Sequence, residues 1–249
     1  MPRTHASLPR LFVETSLEQG KPTNLGKEQS LYLASVLRKE VGDEAVLFNG
    51  RDGAWLARLT SDAKKNVVLE PSEQIAPQPP RGDLWYGFAP LKAARLDYVI
   101  QKATEMGVAT IQPVITRFTQ VTKIQIERMR ANAIEAAEQC EVLNVPQVLP
   151  EIGLDRLVAQ WSGEQGDRVL LLADESAPSG SPVDQIVAIG GRPVGLLIGP
   201  EGGFSDEERA RLLAQPFVIP ISLGPRILRA DTAAVAALAV IQSIIGDWR

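Results

Sequence analysis

The chain has 249 residues, of which 45% are hydrophobic, so it is long enough for one large domain or a small domain followed by a medium one. Its 30 acidic and 26 basic side chains leave a net charge of −4, which argues against a protein that grips nucleic acid by a broad basic surface and leaves only local patches for that role. A single cysteine, Cys140, excludes an intrachain disulfide and fits a reducing compartment, while a single histidine, His5, leaves neither metal-ligand spacing nor a Ser-His or Cys-His catalytic centre.

Residues 1 to 75 read mainly as short strands broken by turns. Leu11 to Val13, Ala45 to Phe48, Trp55 to Leu59 and Asn66 to Leu69 are the strand candidates, with Asn49-Gly50 and Asp52-Gly53 as turn formers. One helix is expected among them, Gln29 to Lys39, with Leu33, Val36 and Leu37 at helical spacing. Short strands at such intervals suggest a small barrel, which removes exposed sheet edges. Arg38-Lys39 and Lys64-Lys65 are local basic clusters able to touch phosphates. Residues 76 to 82, with three prolines, read as a linker and place the domain boundary.

From residue 83 to 249 strands and helices alternate. The strand Leu84 to Ala89 precedes an amphipathic helix, Ala93 to Met106, stopped by Gly107. Thr110 to Ile115 is the next strand, Gln125 to Cys140 the next helix with Cys140 on its core face, and Val169 to Ala173 the next strand. This alternation argues for an α/β domain with a mostly parallel sheet covered on both faces.

Two loops near the end of the chain are the leading site candidates. The apolar run Val194 to Ile198 stops at Gly199-Pro200-Glu201-Gly202-Gly203, and a helix capped by Ser205 with Glu208 three residues on follows at once. The strand Phe217 to Leu223 stops at Gly224-Pro225, followed by Arg226-Ile227-Leu228-Arg229 and an alanine-rich helix capped by Asp231 or Thr232 and running to about Ile245. Loops beyond the carboxyl ends of parallel strands are where open α/β sheets bind ligands. The glycines fit neither a phosphate-binding P-loop nor the dinucleotide fingerprint, because no Gly-Lys-Ser/Thr follows and the spacing differs. The longest apolar run, Ala233 to Ile241, falls short of a bilayer span, and residues 1 to 5 lack the apolar core of a signal peptide, so a cytoplasmic protein without a membrane partner is expected.

Gly-Pro-Glu-Gly-Gly followed by Leu-Gly-Pro-Arg-Ile-Leu-Arg and a Thr-Ala-Ala helix start resembles the SPOUT-class RNA methyltransferases, and within them the RsmE family, which methylates N3 of a uridine in small-subunit (16S) ribosomal RNA. Ile100-Gln101-Lys102 with Glu105 and Gly107, and Ala137-Glu138-Gln139-Cys140 followed by Val145-Pro146, extend the resemblance over most of the chain. Two departures stand out. Where the family places an arginine between Glu-Gln and Val-Pro, this chain has Glu141-Val142-Leu143-Asn144, and where the family tends to an acid-Arg pair, it has Arg117-Phe118-Thr119.

The resemblance implies a C-terminal SPOUT-type trefoil-knotted domain, an N-terminal PUA-like β-barrel, S-adenosyl-L-methionine as cofactor, ribosomal RNA as substrate and a homodimer. It places the cofactor on Leu172, Ile198, Gly199, Pro200, Glu201, Gly202, Gly203, Leu223, Gly224, Pro225, Ile227 and Leu228. Val36-Leu37-Arg38 matches a family run, so Arg38 and Lys39, with Arg226, are the RNA-docking candidates. N3 of uridine carries a proton that must leave before the nitrogen can attack. Asp231 and Glu201 are the acidic candidates for that task, although Asp231 serves equally well as a helix cap. Arg229 is the candidate to stabilise the resulting anion or hold the flanking phosphate. The alternatives are a ribose 2′-O methyltransferase of the same fold, an RNA-binding ribosome-assembly factor without turnover, and a metabolite-binding α/β enzyme. The last helix carries Ala234, Leu238, Ile241 and Ile245 as a stripe that packs either inward or against a second copy.

Overall fold

The computed structural model describes residues 5, 7–63, 65–121, 123–177 and 180–248, so Lys64 of the second basic pair lies outside the described residues. By its contacts the chain divides into two compact units, residues 1–81 with 137–145 and residues 82–136 with 146–249.

The first unit holds strands β1 (Arg10–Phe12) and β2 (Thr23–Asn24), helix α1 (Lys27–Leu31), and strands β3 (Glu44–Phe48), β4 (Ala54–Ser61) and β5 (Val68–Ala76). They form one five-stranded sheet in the order β1-β3-β4-β5-β2, with β1 and β3 parallel and the other pairs antiparallel. Among the described residues no pairing joins β2 back to β1, so the ladder of the expected barrel stays open there. Leu11, Leu33, Leu47, Leu59 and Leu69 fill one face. Val46, Phe48 and Ala54 on the other face are covered by Ala137 and Leu143. The Asn49 turn is held by its own side chain, whose Oδ1 accepts from the Arg51 and Asp52 N–H groups at 3.0 and 2.8 Å. Asp52 in turn accepts from Asn49 Nδ2 and the Leu17 N–H, and these bonds hold its carboxyl below the ordinary range.

The expected helix over Gln29 to Lys39 is corrected. α1 ends at Leu31 and gives way to a π turn over Tyr32–Val36, in which the Leu37 N–H donates to the Tyr32 carbonyl at 2.9 Å. Arg38 then adopts φ +54°, which stops any helix before Lys39. The reason is packing: Leu33 is fully buried, but Val36 and Leu37 face solvent, so no continuous apolar stripe exists to hold an α-helix.

The second unit begins with β6 (Trp85–Phe88), α2 (Ala93–Glu105), β7 (Thr110–Ile115) and α3 (Ile126–Cys140), whose last residues belong to the first unit. It continues through β8 (Gln147–Val148), β9 (Ile152–Gly153), α4 (Leu154–Gln165), β10 (Val169–Ala173), α5 (Pro182–Val187), β11 (Val194–Ile198), α6 (Asp206–Leu213), β12 (Val218–Ile221) and α7 (Ala230–Ile244). The sheet runs β12-β10-β11-β6-β7-β8 with β9 also on β7, and every pair is parallel. Runs such as Val169-Leu170-Leu171-Leu172 and all of β11 are buried on both faces, as a sheet between helix layers requires. Gly195 makes room for two indoles: a Cβ there would sit 3.0 Å from Trp161 and 3.1 Å from Trp85, whose rings meet edge-on at 5.0 Å.

Two further corrections concern helices, and one open reading is resolved. α4 and α5 were absent from the sequence reading, although Leu154, Leu157 and Trp161 have core-facing spacing. Cys140 is exposed, not in the core, because the last turn of α3 presents Ala137 to the sheet of the first unit instead. The α7 stripe packs inward at Ala234, Leu238 and Ile241, which are buried within the chain itself, while Ile245 is half-buried.

Candidate active site

β10, β11 and β12 end level with one another, Ala173 pairing with both Ile198 and Ile221. The three segments that follow them therefore emerge at one edge of the sheet, the edge where parallel α/β folds take ligands. Between them lies a cavity of about 700 Å³, within the range of small-ligand sites. Ile198, Gly199, Pro200, Glu201, Gly202 and Gly203 line one wall, and Leu223, Gly224, Ile227 and Leu228 another. Leu172 does not line it: that side chain is in the core, and Ala173, one residue on, takes the place at the cavity. Pro225 is exposed and lies outside the lining.

The loops are shaped by their glycines and by a cap. Gly203 and Gly224 sit at φ +72° and +100°, where a side chain is strained, so these turns require glycine. Ser205 and Glu208 form a capping box at the start of α6. The Glu208 N–H donates to Ser205 Oγ at 3.2 Å, and the Ser205 N–H donates to Glu208 Oε2 at 3.0 Å. Glu208 Oε1 also accepts from the Arg117 N–H at 2.7 Å, tying the loop after β7 to the same helix start.

Charged side chains also line the cavity. Arg95, from the first turn of α2, pairs with Glu201, and its Nε lies 4.0 Å from Asp231 Oδ2. The sequence reading missed Arg95, since a lone arginine on an amphipathic helix carries no spacing that singles it out. Asp174, just past β10, is the other omission: it pairs with Arg209 at 2.9 Å and lines the cavity. Its place directly after a core strand was the clue.

Asp231 is not the helix cap expected of it. The N-cap position of α7 is Arg229, whose carbonyl accepts from the Ala233 N–H at 2.7 Å and whose side chain makes no capping bond. Asp231 falls in the first turn, where its Oδ1 accepts the Thr232 N–H at 2.9 Å. Beneath it the buried Tyr86 phenol is pushed above its ordinary pKa, first by burial and then by the negative charge of Asp231. Arg226 and Arg229 both line the cavity with exposed side chains. Arg38 and Lys39 belong to the first unit, exposed and half-buried respectively. Lys102 and Glu105 form an ion pair at 2.6 Å on α2. Among the described residues no group of three or more His, Cys, Asp or Glu is placed to hold a metal ion.

Residues 77–242 match the family described as RNA methyltransferase domain, and residues 25–72 the family described as RNA methyltransferase PUA domain. The ribosomal RNA small subunit methyltransferase E of Rickettsia conorii is 31% identical over 235 residues, covering 94% of each chain. The chain belongs to the RsmE family. The second unit is accordingly the SPOUT-type sheet and the first the PUA-like domain of that family. Among solved structures, the Neisseria gonorrhoeae ribosomal RNA small subunit methyltransferase E bound to S-adenosyl methionine is 26% identical with a TM-score of 0.86, covering 97% of this chain and all of that one. A Legionella pneumophila methyltransferase in complex with SAM is 33% identical with a TM-score of 0.82, covering 95% and 97%.

The RsmE cavity of this chain fits such a ligand by its own chemistry. Ile198, Leu223, Leu228 and Ala233 give the lining apolar surface, and Glu201 and Asp174 add carboxylates that are already paired with Arg95 and Arg209.

Proposed function

We propose that this chain, acting in the cytoplasm as a homodimer, methylates N3 of a uridine in small-subunit ribosomal RNA with S-adenosyl-L-methionine as donor. The observation that carries this reading is the cavity of about 700 Å³ at the ends of three parallel strands, lined both by apolar residues such as Ile198, Leu223 and Leu228 and by the charged Arg95, Glu201, Arg226 and Arg229. When bound, the cofactor supplies an electrophilic methyl group on a sulfonium. Ile198 to Gly203 with Leu223, Gly224, Ile227 and Leu228 would hold it within the trefoil knot that the family resemblance implies.

The protein must hold the uracil edge against that methyl group and take away the N3 proton. Asp231, in the first turn of α7 and next to the lining residue Ala230 without lining the cavity itself, is the group assigned to the proton. Arg95, bonded to Glu201 and 4.0 Å from Asp231, lowers the repulsion between the two carboxylates and orients Glu201. Arg229 stabilises the negative charge that spreads to O2 and O4, or holds the neighbouring phosphate, and Arg226 assists on the exposed side. Transfer itself then needs chiefly alignment of nitrogen, carbon and sulfur. Arg38 and Lys39, on the PUA-like unit, contact RNA phosphates.

The outward face of α7 supports the dimer. Val235, Ala236, Ala239 and Val240 are half-exposed and small or branched, a surface suited to a second copy. The reading is tested with small ribosomal subunits from cells lacking this protein: incubation with protein and S-adenosyl-L-methionine should yield 3-methyluridine on nucleoside mass analysis. A 2′-O-methylated nucleoside, or no product, would overturn it.

A further inference from the structure

Phe118 is a large aromatic side chain left 44% exposed at the rim of the site. It stands in the turn after β7, and that turn is tightly held. The Thr116 N–H donates to Thr119 Oγ1 at 2.9 Å, the Thr119 N–H to the Thr116 carbonyl at 3.1 Å, and the Arg117 N–H to the capping Glu208. Three bonds within four residues, one of them reaching helix α6, fix where the ring sits. Its exposure is therefore built in and does not come from a loose loop.

The ring rests against the Gly-Pro-Glu-Gly-Gly loop. A Cβ on Gly202 would lie 3.5 Å from the Cβ of Phe118, and together with Lys92, Gln120, Pro200 and Glu201 these residues border a second, small cavity. Pro200, Glu201 and Gly202 also line the large cavity, so one short loop is the common wall of both. Lys92 is exposed and borders the same small cavity as the ring, and Arg117, the residue before Phe118, is exposed as well, so two cations belong to this patch.

An enzyme that modifies a base must take it out of its stack, and the lost stacking has to be replaced by the protein. Exposed aromatic rings beside cationic side chains are how proteins hold unstacked bases. We propose that Phe118 is the platform on which a nucleobase of the RNA substrate, the target uracil or its immediate neighbour, stacks outside the Gly202 wall, with Lys92 and Arg117 on the adjoining phosphates. The inference rests on the RNA-methylating function proposed above and adds the substrate-binding side of that site.

The test compares Phe118→Ala, Phe118→Leu and Phe118→Tyr in single-turnover methyl transfer to small ribosomal subunits from cells lacking the protein, with S-adenosyl-L-methionine affinity by calorimetry and mass by light scattering. Leucine keeps apolar bulk without a π face, and tyrosine keeps the face. Loss of one stacked base should raise the half-saturating subunit concentration on the order of tenfold or more in the Ala and Leu variants, with Tyr recovering most of it and cofactor affinity unchanged in all three. Phe118→Leu matching the unsubstituted protein, or Tyr failing to rescue, overturns the stacking role while the function stands. A change of oligomeric mass in the variants would mean that a second copy, not RNA, covers the ring. No methyl transfer by the unsubstituted protein would bring down the function and this inference together.

Discussion

The Arg95 guanidinium lies 4.0 Å from the Asp231 carboxylate while it is bonded to Glu201, so one cation from α2 joins the two loops on which the chemistry is proposed. Both partners are partly exposed, and pairs of that kind contribute only about 0–1 kcal/mol to stability. Arg95→Ala should therefore leave the melting temperature almost unchanged and lower single-turnover methyl transfer by roughly tenfold or more, with Arg95→Lys intermediate because an ammonium keeps the charge between the two carboxylates but not the planar fork that orients Glu201. A fall in melting temperature that accounts for the lost activity would assign Arg95 to the scaffold instead.

Asp231→Asn separates proton transfer from helix support. An asparagine oxygen still accepts the Thr232 N–H that Asp231 accepts at 2.9 Å, but it takes no proton. The variant should stay folded, bind S-adenosyl-L-methionine and lose methyl transfer at every pH. Arg229→Ala should lower turnover far more than cofactor affinity, and Arg229→Lys should recover part of it. Near-normal rates for both Asp231→Asn and Arg229→Ala would move the chemistry off this helix start.

The capping box sets the entry of α6 and hence the loop before it. Ser205→Ala should destabilise the protein by about 1 kcal/mol. Glu208→Ala should cost more, because it also strands the Arg117 N–H that Glu208 accepts. Urea denaturation checks the order: a smaller effect for Glu208→Ala than for Ser205→Ala would show that the bond to the Phe118 turn contributes nothing.

Tyr86 makes stability fall in alkali. Its phenol is raised above the ordinary tyrosine value, so the folded state keeps a proton that the unfolded chain releases. Below a pH of about 10 both states are protonated and the contribution is complete; above it, stability is lost by about 1.4 kcal/mol per pH unit. Tyr86→Phe should remove that part of the slope between about pH 10 and 11.5, which equilibrium unfolding against pH will measure, with the ordinary tyrosine pKa as reference. Identical slopes for the two proteins would contradict the burial argument.

The sequence by itself determined the strands at the centre of the second unit and the loops that end them. Val169 to Ala173 and Val194 to Ile198 are apolar on every residue, and Gly203 and Gly224 stand where the backbone turns left-handed, so local chemistry was enough. Ser205 and Glu208 were legible for the same reason, because a capping box closes within four residues. The π turn after Leu31 was not: whether Val36 and Leu37 continue a helix depends on how far they are buried, and both are exposed, Val36 to 68%. The burial of Ala234, Leu238 and Ile241 likewise depended on α2 and α5 closing over α7. Arg95 and Phe118 lay beyond reach in the same way. Each stands about a hundred residues from the Gly-Pro-Glu-Gly-Gly loop it meets, and only the parallel order of the strands, which brings β6, β7 and β11 side by side, places them there.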